Sequence, residues 1–148
     1  AVLESTLLNT SDFPDPYPER GIHEITLHLG LFENDAAAME KKALSYNRPV
    51  TPISTGSHKG TLPPTGSFMQ YDAPGAVITA MWPEDGKLCV RMLSLSDKPT
   101  TVSLCRDGAR SAEVVDMSGN TIGSATVKNG KITTVIAPKC LVCVKISF

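Results

Sequence analysis

The chain has 148 residues, of which 41% are hydrophobic and 20% charged, and its net charge is −1. A chain of this length buries roughly 68–70% of its unfolded surface, enough for one or two small cores. The near-neutral balance excludes the basic field a nucleic-acid partner requires, and no apolar run approaches the ~20 residues of a membrane-spanning helix.

In chain order, residues 1–8 read as a strand and residues 9–18 as a loop. Pro14, Pro16 and Pro18 each fix φ and remove a backbone donor, so this stretch is neither helix nor central strand. The loop carries Asp15, Glu19 and Arg20 into a strand predicted over residues 22–31, where Ile25, Leu27, Leu29 and Leu31 alternate with Thr26, His28 and Gly30. Charged loop residues at the end of a strand are a common seat of binding groups.

Asn34 or Asp35 is a suitable N-cap for the one predicted helix, which begins at Ala36, has strong helix formers through Leu44 and is ended by Pro49. Ala36, Met39, Ala43 and Tyr46 share a face and are expected to be its apolar side. Residues 51–66 are rich in Ser, Thr, Gly and Pro with little to bury, which places a linker and a domain boundary there.

Beyond the linker the chain reads as short strands separated by turns. Ala76 to Met81 is apolar on both faces, as in a central strand. Leu88, Val90 and Met92 alternate after the Asp85-Gly86 turn. Further strands are expected around Val102 and Leu104, over 113–117, around Ala125 and Val127, and at Ile132, Thr134 and Ile136 across the Asn129-Gly130 turn. Val142, Val144, Ile146 and Phe148 close the set. About seven short strands at this spacing argue a mainly β protein ending in a small β-sandwich.

The four cysteines are Cys89, Cys105, Cys140 and Cys143. Only Cys140 and Cys143 have metal-ligand spacing, and on an alternating strand they point to opposite faces, so buried reduced thiols are expected and no metal site. His23 and His28 likewise project to opposite faces, and His58 lies in the linker. Arg91 is expected at the surface in an ion pair. Trp82, the sole tryptophan, is expected in packing, with stacking on a sugar ring as the other reading.

Three segments, taken in order, resemble one family. They are Glu19-Arg20-Gly21-Ile22-His23-Glu24-Ile25, then Tyr46-Asn47-Arg48-Pro49-Val50, then the run from Ser67-Phe68-Met69 through Asp72-Ala73-Pro74-Gly75-Ala76-Val77-Ile78-Thr79-Ala80, Glu84-Asp85-Gly86 and Leu88-Cys89-Val90-Arg91. Together they resemble the C-terminal β-region of glycoside hydrolase family 38, the zinc-dependent retaining α-mannosidases. The chain departs from the family pattern at Asn9, at Leu31-Phe32, at Trp82-Pro83 and at Ser94.

The resemblance implies that residues 1–66 finish a large β-sandwich carrying one helix and the linker, and that residues 67–148 form the small terminal β-sandwich. It implies catalytic zinc and catalytic carboxylates in an N-terminal domain outside this sequence, with no cofactor and no catalytic residue here. The partners implied are that catalytic domain and a mannoside substrate, and the family's habit of forming oligomers leaves a homo-oligomer open. Arg20 is the residue expected to touch substrate, because its five-donor fork suits sugar hydroxyls; the same fork equally suits a carboxylate of the catalytic domain. The alternative class is a non-catalytic carbohydrate-binding or spacer β-sandwich, against which 5% aromatic content and the helix-bearing first third both speak.

Overall fold

The computed structural model describes Val2, residues 4–8, Phe13 and residues 21–148. They fall into two compact units, residues 1–31 and residues 32–148. Among the described residues of the first unit there is neither strand nor helix, and Ile22, Leu29 and Leu31 are exposed. The strand predicted over 22–31 is therefore not formed. Alternation selects the face a strand would present, but a strand also needs a neighbouring ladder for its backbone groups, and alternation does not supply one.

The second unit opens with helix α1 (Ala36–Asn47), so the helix stands in the same compact unit as the sheet rather than across the linker from it. The Asp35 carboxylate caps it by accepting from the N–H groups of Ala37 and Ala38, each at 3.0 Å. The buried side is Ala37, with Lys41 and Leu44 half-buried, whereas Met39 and Tyr46 are exposed; the apolar face expected from Ala36, Met39, Ala43 and Tyr46 is not the one that packs. The cause is polar. Lys41 Nζ donates to Ala73 O (3.1 Å) and Arg48 Nη1 to Thr79 O (3.1 Å), and these two bonds turn the helix's basic side toward the sheet edge.

Eight antiparallel strands follow: β1 (Gln70–Asp72), β2 (Ala76–Glu84), β3 (Lys87–Ser94), β4 (Thr100–Cys105), β5 (Ser111–Val115), β6 (Thr121–Lys128), β7 (Lys131–Ile136) and β8 (Leu141–Ser147). Their order is β1-β4-β7-β6-β5-β8-β3-β2, and the protein is mainly β. Strand β6 changes partner along its length. Thr121–Ala125 lies against β5, with a bulge between Val114 and Val115, and Thr126–Lys128 lies against β7. The sheet curls at that point. Val90 and Met92 of β3, Val144 and Ile146 of β8, Val102 and Leu104 of β4, and Ile132 and Ile136 of β7 all join one buried core.

Two edges remain, and each is blunted. Strand β1 is three residues long. Strand β2 is an edge strand among the described residues, not the central strand its sequence suggested; there it pairs with β3 alone, and it carries Pro83, which a central strand would not tolerate. Its register slips between Ile78 and Ala80, and the bulged Thr79 carbonyl accepts the Arg48 bond. Residues 49–66 are exposed and carry no helix or strand.

Candidate functional site

Arg20, the substrate-binding residue expected from sequence, lies outside the described residues, as do Asp15 and Glu19. His23 and His28 are exposed residues of the first unit, and His58 Nδ1 lies 2.9 Å from Gly56 O in the exposed 49–66 stretch. No group of three His, Cys, Asp or Glu residues that could hold a metal ion occurs among the described residues. Two clusters in the second unit bring functional groups together instead.

The first lies on the outer face of the β2-β3-β8-β5 sheet, opposite the core. The register sets Trp82 against Cys89 and Cys89 against Lys145, so all three share that face with Glu84. Glu84 gathers them. Its Oε2 accepts from Trp82 Nε1 (3.2 Å) and from the Cys89 thiol (3.3 Å), and its Oε1 pairs with Lys145 Nζ (3.2 Å). Trp82 also packs on the buried trio Cys89, Val115 and Cys143. Beside it, Lys87 Nζ meets Glu113 Oε1 at 2.7 Å, and the Thr121 hydroxyl donates to Glu113 Oε2 at 3.0 Å. Arg91, expected in a surface ion pair, is half-buried and gives its Nε–H to the Thr79 hydroxyl at 3.0 Å.

These contacts set the charges. The Cys89 thiol hydrogen bond, then Lys145 and Trp82, hold the Glu84 carboxyl below its ordinary 4.5. Lys87 and then Thr121 do the same for Glu113. Burial, reinforced by the Glu84 carboxylate, pushes Cys89 up to about 12, and burial raises Cys143. Both shifts favour the protonated thiol. Cys140, by contrast, packs against the main core. A cavity of about 190 Å³ between Trp82, Cys143, Lys145 and the Asp116–Gly119 turn adjoins the cluster. Its carboxylates are already engaged, Glu84 as above and Asp116 by Ser118 N, Asn120 N and Asn120 Nδ2 at 2.8–3.1 Å. The arrangement ties strands together and leaves little for a ligand.

Acid titration reads this face directly. The folded values of Glu84, Glu113 and Asp116 are depressed, so their stabilisation is complete above the ordinary values of 4.5, 4.5 and 3.8 and drains as pH falls through the lower folded ones. The urea midpoint is expected to hold between about pH 7 and pH 5 and to drop below about pH 4.5. Glu84→Gln should lower the neutral plateau and make the acid fall shallower. An unchanged fall would remove Glu84 from the set.

The second cluster lies at the same end of the β2–β3 hairpin, beside its turn, where Pro83 and Leu88 point to the other face. Arg106 follows β4, and its backbone N–H donates to Gly130 O at 2.9 Å. Its guanidinium carbon lies 4.4 Å from the Phe68 ring centroid and 5.7 Å from that of Phe148. The guanidinium Nε is buried and has no hydrogen-bond partner among the described residues. Leaving a buried donor unpaired costs about 1–3 kcal/mol. A cavity of about 290 Å³ opens here, walled by Pro83, Lys87, Leu88, Arg106 and the two phenylalanines.

Sequence reading missed this cluster because its members come from four separate segments and no local pattern joins them. The charge of Arg106 next to the Asp107-Gly108 turn was the only local cue. No protein-family model, no curated protein and no solved structure matches the chain.

Proposed function

We propose that this chain is the C-terminal portion of a zinc-dependent retaining α-mannosidase that hydrolyses terminal α-mannosidic bonds, and that it buttresses the catalytic domain and lines one side of the sugar site. The observation that carries the reading is the order of the three family-like segments, together with where the third falls in the fold. Its Asp72-Ala73-Pro74-Gly75 stretch makes the β1–β2 turn, with Gly75 at φ 73°, and its Glu84-Asp85-Gly86 stretch makes the β2–β3 turn, with Asp85 at φ 50° and Gly86 at φ 74°. Motif residues thus coincide with positions where the backbone itself restricts the choice of side chain.

Among the described residues no three possible ligands converge. Zinc and the catalytic carboxylates belong, in this reading, to the N-terminal domain, and the chain alone is inactive. Retaining hydrolysis needs a nucleophilic carboxylate and an acid/base roughly 5–5.5 Å from it, and this chain contributes neither. Its contribution is mechanical and positional. The apolar residues Ile22, Leu29 and Leu31, exposed in this chain, offer the surface that a neighbouring sheet would cover. Arg20 donates hydrogen bonds to the mannoside.

The test is release of an aryl alcohol from an aryl α-mannoside by the full-length enzyme, with and without a zinc chelator. Chelator-sensitive release is expected, and Arg20→Ala should then lower kcat/KM by about 10- to 100-fold, the worth of a hydrogen bond from a charged donor. No release by a folded, zinc-loaded enzyme across several aryl sugars would overturn the reading and put the carbohydrate-binding module in front.

A further inference from the structure

We propose that the cavity at Arg106 binds a small organic monocarboxylate, held by the guanidinium of Arg106 between the rings of Phe68 and Phe148. This site goes beyond the glycosidase reading and does not depend on it.

Three observations select the ligand class. First, Arg106 is a permanent cation that makes no ion pair with any described residue, and its buried Nε lacks an acceptor. No side-chain hydrogen bond of Arg106 to a described residue is formed, so its planar fork of donors is open to the planar pair of oxygens on a carboxylate. Second, the charge available is a single one. Lys87 also lines the cavity, but it is committed to Glu113 at 2.7 Å. One uncommitted positive charge balances a monoanion and leaves a phosphate dianion half unpaired beside Pro83, Leu88 and two aromatic rings, where an unpaired charge is costly. Third, about 290 Å³ of space suits a small acid rather than a long chain.

Phe68 and Phe148 both lie within cation–π reach of the guanidinium and restrict its movement, so less rotamer freedom is lost on binding. Phe68 is 59% exposed and forms the outer wall, which gives the ligand a way in without disturbing the core.

The experiment is a titration of the 148-residue chain with benzoate, followed by ¹H–¹⁵N spectra of the Arg106 Nε–H and of the Leu88 and Phe148 amides, with chloride and phosphate at matched ionic strength. Benzoate is expected to give a saturable shift at all three reporters and chloride only a linear drift. Arg106→Gln, followed through the two amides, should weaken benzoate by about tenfold or more, the order of a charge-assisted bidentate pair. If that variant fails to fold, Phe68→Ala keeps the cation, removes one wall, and should still weaken benzoate measurably. Linear, chloride-like shifts with benzoate would overturn the site. Undiminished binding by Arg106→Gln would overturn the role of Arg106, and phosphate saturating below benzoate would overturn the carboxylate assignment.

Discussion

Met92→Ala is expected to destabilise residues 32–148 by about 2–5 kcal/mol, the range for truncating a large buried side chain to alanine. Met92 has no exposed surface and is among the largest fully buried side chains of the chain. Its place in β3 explains the size of the effect. The register puts it beside Ile78 of β2 on one side and Val142 of β8 on the other, and it shares a core with Leu104, Ile132 and Ile136 from the other half of the curled sheet. A cavity there loosens both halves at once. At roughly 3–5 °C per kcal/mol for a unit of this size, the melting temperature should fall by about 6–25 °C. Two comparisons isolate the cause. Met92→Leu, which nearly conserves volume, should cost under about 1.5 kcal/mol. Met117→Ala, at a position 55% exposed, should stay within about 0.5 kcal/mol. A loss below about 1 kcal/mol for Met92→Ala would mean that the two halves of the sheet do not share a core.

The parts of this fold that were legible in the sequence are those governed by local rules. The alternation of Leu88, Val90 and Met92, and of Val142, Val144 and Ile146, reports a sheet with one buried face, and those residues are buried. The Asp85-Gly86 and Asn129-Gly130 pairs demand positive φ in succession, and the structure has it at all four residues. What failed were inferences about neighbours. Ala76–Met81 read as central because both faces are apolar, yet the pattern does not reveal whether a strand or a helix covers the second side; here α1 hydrogen-bonds to the edge through Lys41 and Arg48. The helix face was misassigned for a related reason, since hydrophobicity ranks Met39 and Tyr46 above Lys41, whereas two backbone carbonyls of the sheet select the cations. Strand β1, three residues long, is too short to show a period.

The site was less legible than the fold. Glu84 meets Lys145 across 61 positions of sequence, and Arg106 meets Phe68 and Phe148 from elements that have no sequence signature in common. Such clusters are set by register and curl, which follow from the whole sheet. Arg20 was singled out by loop chemistry and by family resemblance, and it lies outside the described residues, so its role rests on the enzyme assay.

Gly130→Ala tests how closely the β6–β7 turn approaches the end of the neighbouring strand β4. Gly130 and Gly86 occupy matching places in two-residue hairpin turns, both at φ 74°. An alanine in either turn meets the left-handed penalty of about 1–2 kcal/mol. Only Gly130 has a second obstacle. A Cβ there would stand 2.9 Å from Arg106 O and 3.4 Å from Arg106 C, whereas one on Gly86 would meet nothing within 4 Å. The obstructing atoms are backbone, so relief requires the chain to move, and that movement stretches the 2.9 Å bond from Arg106 N to Gly130 O. Losing that bond adds about 0.5–1.5 kcal/mol, and strain in the displaced turn adds about 1–3 kcal/mol. Gly130→Ala should therefore cost about 2.5–6.5 kcal/mol against about 1–2 for Gly86→Ala, read as paired urea midpoints at constant slope. The variant also bears on Arg106. A backbone shift at that residue slides the guanidinium relative to Phe68 and Phe148, so benzoate should bind Gly130→Ala more weakly than it binds the parent. Equal costs for the two substitutions would show that the turn yields freely, and that Arg106 is positioned by its aromatic neighbours rather than by its backbone.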